Sequence, residues 1–164
     1  MLFIPFALLL FASAAAAPQM AMRCDAPQYR QLDFWVGDWN VTVGGKPAGT
    51  NAVTQEESGC LVHEHWAGAA GGTGQSFNFY DRTDDRWHQM WVSSTGNTLF
   101  LSGQYADGKL VYRGTAPGSN GAPAQQRLTF FRNADGTVRQ LWESSSDGKQ
   151  WQTVFDGLYE RKSR

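Results

Sequence analysis

Asp33-Phe34-Trp35-Val36-Gly37-Asp38-Trp39-Asn40-Val41-Thr42-Val43 is the stretch that decides the fold of this chain. Its centre is Gly37-x-Trp39, which runs straight into residues of high strand preference. A Gly-x-Trp at the head of a first strand suits a small closed barrel. The indole plugs one end, and the glycine lets the backbone pass close beside it.

Downstream of Trp39 no long helical period appears. Short runs rich in Val, Thr, Trp, Phe and Tyr recur at regular spacing, which is the all-β pattern. Asp107-Gly108, Asp135-Gly136 and Asp147-Gly148 each separate two such runs, as hairpin turns do. The runs predict about ten strands over 38–44, 50–57, 60–67, 75–81, 86–93, 97–104, 109–115, 125–132, 137–144 and 150–159. Residues 27–35 are expected to form a short helical lid. A meander of this length leaves exposed edges unless it closes or splits, so the expected fold is a closed antiparallel up-and-down barrel. About ten strands enclose more space than side chains fill, which leaves room for one small ligand.

Upstream, Leu2-Phe3-Ile4-Pro5-Phe6-Ala7-Leu8-Leu9-Leu10-Phe11 is an apolar run, followed by small residues to Ala17. It reads as a secretory signal peptide over 1–17, too short for a membrane span of roughly 20 residues. Residues 18–164 then form the barrel domain, periplasmic or secreted, with no integral membrane span. In that compartment Cys24 and Cys60 read as a disulfide tying the segment before the first strand to the third strand. The formal net charge of -1 argues against nucleic acid and against anionic lipid as partners.

Period-two alternation sorts the strand residues into faces. Glu64 and Trp66 share one face, as do Asn78 and Tyr80. Trp87, Gln89 and Trp91 form a third set, and Gln140 and Trp142 a fourth. Indoles placed beside amides and a carboxylate suit a pocket with an apolar wall and a few orienting polar groups. The competing reading is pure packing, in which each aromatic finds a partner for its polar tip. Alternation alone leaves open which face looks inward.

His63 and His65 lie at i, i+2 on the third run, and His88 two runs further on. Three imidazoles suit zinc, but no Asp or Cys completes the set, so they read as solvated strand-face histidines and no metal is expected. Glu64 and Glu143 are the carboxylates placed for an acid or base role beside Trp66 and Trp142. No partner in the sequence pairs them.

Asp33 to Trp39, Gly59-Cys60, Glu64-His65-Trp66, Asn78-Phe79-Tyr80-Asp81, Arg86 to Val92, Arg139 to Glu143 and Phe155-Asp156-Gly157-Leu158-Tyr159 together resemble a family of exported bacterial lipocalin-like proteins of unknown function. The resemblance spans nearly all of 18–164. It implies a calycin-type barrel in a bacterial envelope and implies no activity. In the wider calycin group a basic residue after the last strand lies across the first-strand Trp. Arg161 is placed for that role beside Trp39, with Gly37 in support. Nitrobindins, a haem-binding branch of similar barrels, keep a proximal His late in the chain. Here no His follows His88, so haem is not expected, nor any other cofactor.

The expected function is binding of a small, partly apolar molecule inside the barrel. Trp66, Tyr80, Trp87, Trp91 and Trp142 are expected to form its wall, and Glu64, Asn78, Gln89 and Gln140 to orient it. The Gly-rich loop 67–74 is the expected gate. Two alternatives stay open. One is a barrel enzyme using Glu64 or Glu143 with His88 as acid and base. The other is an interaction module whose barrel is filled.

Overall fold

The computed structural model describes residues 24–118 and 121–163. The expected signal peptide, 1–17, lies outside the described residues. Ten strands follow one another: β1 (Gly37–Val43), β2 (Lys46–Glu56), β3 (Leu61–Gly68), β4 (Thr73–Asp81), β5 (Arg86–Ser93), β6 (Thr98–Ala106), β7 (Lys109–Pro117), β8 (Pro123–Arg132), β9 (Val138–Ser145) and β10 (Gln152–Arg161). Each pairs antiparallel with its sequence neighbours, and β10 returns to pair with β1, from Trp39 opposite Arg161 to Val43 opposite Gly157. The sheet is thus a closed barrel without a free edge, as the meander requires.

Strand boundaries differ from expectation in ways that local chemistry explains. β2 begins at Lys46 rather than 50. Gly44 and Gly45 take φ of 56° and 75° and make a tight hairpin, so pairing resumes at once. Pro47 is accommodated because the register shifts beside it, between Val41 and Thr42. β10 begins two residues late because the Asp147 carboxylate accepts the backbone N–H groups of Lys149 and Gln150, both at 2.8 Å. That prolongs the turn.

The lid is two short 3-10 turns, Pro27–Arg30 and Asp33–Trp35, rather than one helix. It closes the barrel end where β1 starts. Trp35 and Trp39 are fully buried there, against Phe130 and Tyr159. Trp39 Nε1 donates to the Trp35 carbonyl at 2.8 Å. The lid is fastened at several points. Trp87 Nε1 donates to Gln31 Oε1 at 2.9 Å, Gln55 Nε2 donates to Asp33 Oδ1 at 3.1 Å, and Tyr29 meets Tyr80 edge to face. Cys24 and Cys60 are joined in a disulfide. Cys60 sits in the turn just ahead of β3, not in the strand.

Gly37 has φ +143°, and a Cβ there would lie 2.3 Å from Arg161 Nη1. The absent side chain lets the guanidinium lie 4.4 Å over the Trp39 ring and donate to the Val36 carbonyl at 3.1 Å. A cation on an indole face stabilises by about 0.5–2 kcal/mol. Arg161→Ala is therefore expected to lower the unfolding free energy by about 1–2 kcal/mol in urea titration. Lys162→Ala, one residue on, serves as the control and is expected to change it by less than about 0.5 kcal/mol.

Candidate functional site

At the end opposite the lid the interior stays open. A cavity of about 260 Å³ is lined by Glu64, Trp66, Gln89, Trp91, Leu99, Leu128, Gln140, Trp142, Val154, Phe155 and Tyr159. The register settles the face that alternation left open. Inward positions are Glu64 and Trp66 on β3, Trp87, Gln89 and Trp91 on β5, and Gln140 and Trp142 on β9.

Six of the nine residues expected at the site line this cavity: Glu64, Trp66, Gln89, Trp91, Gln140 and Trp142. The other three share the face but lie deeper. Asn78 is fully buried beneath the cavity. Trp87 and Tyr80 stand at the lid end, where they meet Gln31 and Tyr29. The Tyr80 hydroxyl donates to Asp85. Period two gives the face of a strand residue and nothing about its depth along the barrel axis, which is why these three were grouped with the rest.

A ladder of buried polar groups forms the cavity floor. Glu64 Oε1 accepts from Asn51 Nδ2 at 2.7 Å, and Glu64 Oε2 accepts from the Ser76 hydroxyl at 2.6 Å. Asn78 Nδ2 donates to Ser76 Oγ at 2.9 Å and to the Val62 carbonyl at 3.2 Å. That main-chain acceptor orients the amide, so Asn78 Oδ1 receives Gln89 Nε2 at 2.9 Å and the Tyr112 hydroxyl at 3.2 Å. Asn51, Ser76 and Tyr112 escaped the sequence reading, as did the lining residues Leu99, Leu128, Val154, Phe155 and Tyr159. One signal was available. Ser76 shares the parity of Asn78 on β4, and a small polar residue there continues the polar run.

The wall rests on missing side chains. A Cβ on Gly74 would come within 2.2 Å of the Trp91 ring, and one on Gly49 within 2.7 Å of the Trp66 ring. Each indole thus occupies space that a side chain on the neighbouring strand would take. The β3–β4 connection lies at this mouth. It is shorter than the expected loop 67–74, since β3 runs to Gly68 and β4 starts at Thr73. Gly68 N donates to the Gly72 carbonyl at 2.9 Å, and Ala69 N to the Ala48 carbonyl at 2.9 Å.

The acid-base set considered from sequence is not brought together. Glu64 points in. Glu143 points out and holds Arg127 through two bonds of 2.7 and 2.9 Å, with Trp151 beneath the guanidinium. His88 is also outside, 2.9 Å from Asp84 and stacked on Phe79. The barrel wall separates them from Glu64. His65 is exposed, whereas His63 is almost buried and fully engaged, so the solvated reading holds for only one of the pair.

Among the described residues no helix is long and apolar enough to cross a membrane. No known protein family matches the chain, and no curated protein matches it.

Burial lifts the Glu64 carboxyl from its ordinary value of 4.5 to about 7, against the opposing pull of the Ser76 and Asn51 hydrogen bonds. The folded protein therefore holds this proton more tightly than the unfolded chain. Stability carried by the neutral acid is fully present below pH 4.5 and is lost as pH rises through 7, on the order of 3 kcal/mol in all. In Glu64→Gln the change in unfolding free energy between pH 4 and pH 8 should differ from wild type by roughly that amount, with the variant losing less on the alkaline side. Urea titrations at the two pH values give the difference directly.

Proposed function

We propose that the barrel binds a small, partly apolar molecule in its open end. The observation that carries this reading is the combination of an unfilled cavity with free hydrogen-bonding groups at its base. Gln89 uses Nε2 on Asn78, and Gln140 uses Oε1 on the Tyr159 hydroxyl. Among the described residues Gln89 Oε1 and Gln140 Nε2 have no hydrogen-bond partner, and both residues face the cavity. One acceptor and one donor are therefore offered to a ligand. A molecule with a donor and an acceptor on one edge, such as an amide, an acid or an alcohol, complements them. Its apolar body lies between Trp66, Trp91, Trp142 and Phe155.

A volume of about 260 Å³ lies just below the roughly 300–1,000 Å³ of pockets for drug-sized molecules. The ligand is accordingly small. We read the protein as a binding protein: among the described residues that line the cavity Glu64 is the one carboxyl, and no histidine stands beside it there. The disulfide accords with an oxidising compartment, and we place the protein in the periplasm or outside the cell, within the exported lipocalin-like family that its motifs resemble.

Native mass spectrometry of gently purified protein tests this. A bound mass that leaves on denaturation is expected. With the released molecule as titrant, Gln89→Leu and Trp66→Ala should each weaken affinity at least tenfold, as expected for a lost buried polar contact or a lost aromatic wall. Trp87→Phe, at the lid end, should leave affinity within about twofold, a change of roughly 0.4 kcal/mol. Unchanged affinity in both cavity variants would show that the molecule sits elsewhere.

A further inference from the structure

The outer surface of β3 carries a second constellation. His63 and His65 alternate with the inward Glu64 and Trp66, so the strand that lines the cavity presents both imidazoles outside. β2 runs antiparallel beside it and ends at Glu56, which bends back over His63. His63 Nδ1 lies 3.1 Å from Glu56 Oε1 and 3.2 Å from His65 Nε2. All three atoms fall within 4.8 Å of one another. Ligand atoms at zinc distances in a tetrahedral site are about 3.3 Å apart, and the two spacings from His63 Nδ1 match that.

The surroundings match as well. His63 Nε2 lies 3.0 Å from Gln75 Oε1. The tautomer with its proton on Nε2 donates to Gln75 and turns the Nδ1 lone pair towards Glu56, which is the form a metal ion selects; with the proton on Nδ1 the same contact is a hydrogen bond to the Glu56 carboxylate. Donation from the far ring nitrogen to an oxygen is the usual support of a metal-bound histidine. The Thr54 hydroxyl donates to Glu56 Oε1 at 2.8 Å, and Phe77 stacks on the His63 ring at 4.5 Å, fixing both ligands in place. His65 is exposed, which leaves the outer side of the cluster open to solvent.

We propose that Glu56, His63 and His65 form a binding site for one borderline divalent transition-metal ion of the zinc class, with water in the fourth position. The ligands are one carboxylate and two imidazoles, a set that suits Zn²⁺, Cu²⁺ or Ni²⁺ and is too nitrogen-rich for Mg²⁺ or Ca²⁺. Sequence spacing alone missed it because Glu56 is seven residues from His63 and reaches it only through the β2–β3 pairing. The site lies outside the barrel and is independent of what the cavity binds.

The test uses untagged protein stripped with a chelator and titrated with zinc chloride by calorimetry. Binding of one ion with a dissociation constant of 10 µM or tighter, about 7 kcal/mol, is expected. His65→Asn, at an exposed position where folding is unaffected, should weaken it at least tenfold. His88→Asn should leave it unchanged, which separates this site from the Asp81, Asp84 and His88 group on the neighbouring turn. No binding, or binding lost in His88→Asn and kept in His65→Asn, would overturn the proposal. So would nitrogen NMR showing His63 Nδ1 still protonated at saturating zinc, because a proton would then be the cation between the three atoms.

Discussion

The width of a ten-stranded barrel is the constraint on which everything else here depends. Once β10 pairs with β1, the circumference is fixed, and it encloses more volume than one layer of inward side chains can fill. The chain meets this differently at three depths. At one end the lid and Trp35 and Trp39 pack the space solid. In the middle, hydrogen-bonded polar groups from β2, β3, β4, β5 and β7 span it. At the other end the side chains leave a cavity of about 260 Å³.

The middle layer explains why a carboxyl can be buried at all. Glu64 receives two hydrogen bonds, yet burial still dominates and favours its neutral form. Its neighbours Ser76 and Asn78 are satisfied in turn, ending on the Val62 main-chain carbonyl. Among the described residues Asn51 Oδ1 is the one buried atom of this network without a hydrogen-bond partner, and the remaining bonds fix one arrangement of side chains. That rigidity holds Gln89 in place with one end free.

Much of this was legible in the residues. Hairpin turns at Asp-Gly pairs and period-two aromatic runs marked all ten strands, and the strand count implied closure. Alternation also sorted the strand residues onto shared faces, and the register then decides which face looks inward. What stayed hidden was distance along the axis: Tyr80 and Trp91 look alike in sequence, but one touches the lid and the other the cavity. The role of Gly74 and Gly49 was hidden for a related reason. Their effect falls on an indole of the neighbouring strand, so it emerges only when the register is known. Glu56 joined His63 by the same route, across a strand pair and not along the chain.

The Cys24–Cys60 cross-link has an axial consequence. It joins the lid to the turn ahead of β3, at the end where Gln31, Asp33 and Tyr29 also fasten the lid. The mouth has hairpins and main-chain bonds but no covalent tie. Resistance to local opening is therefore graded along the barrel, highest at the base and lowest at the lip. Transient fraying of the lip loosens the mouth while the base keeps its shape. The open end can therefore breathe at one rim without the barrel coming apart.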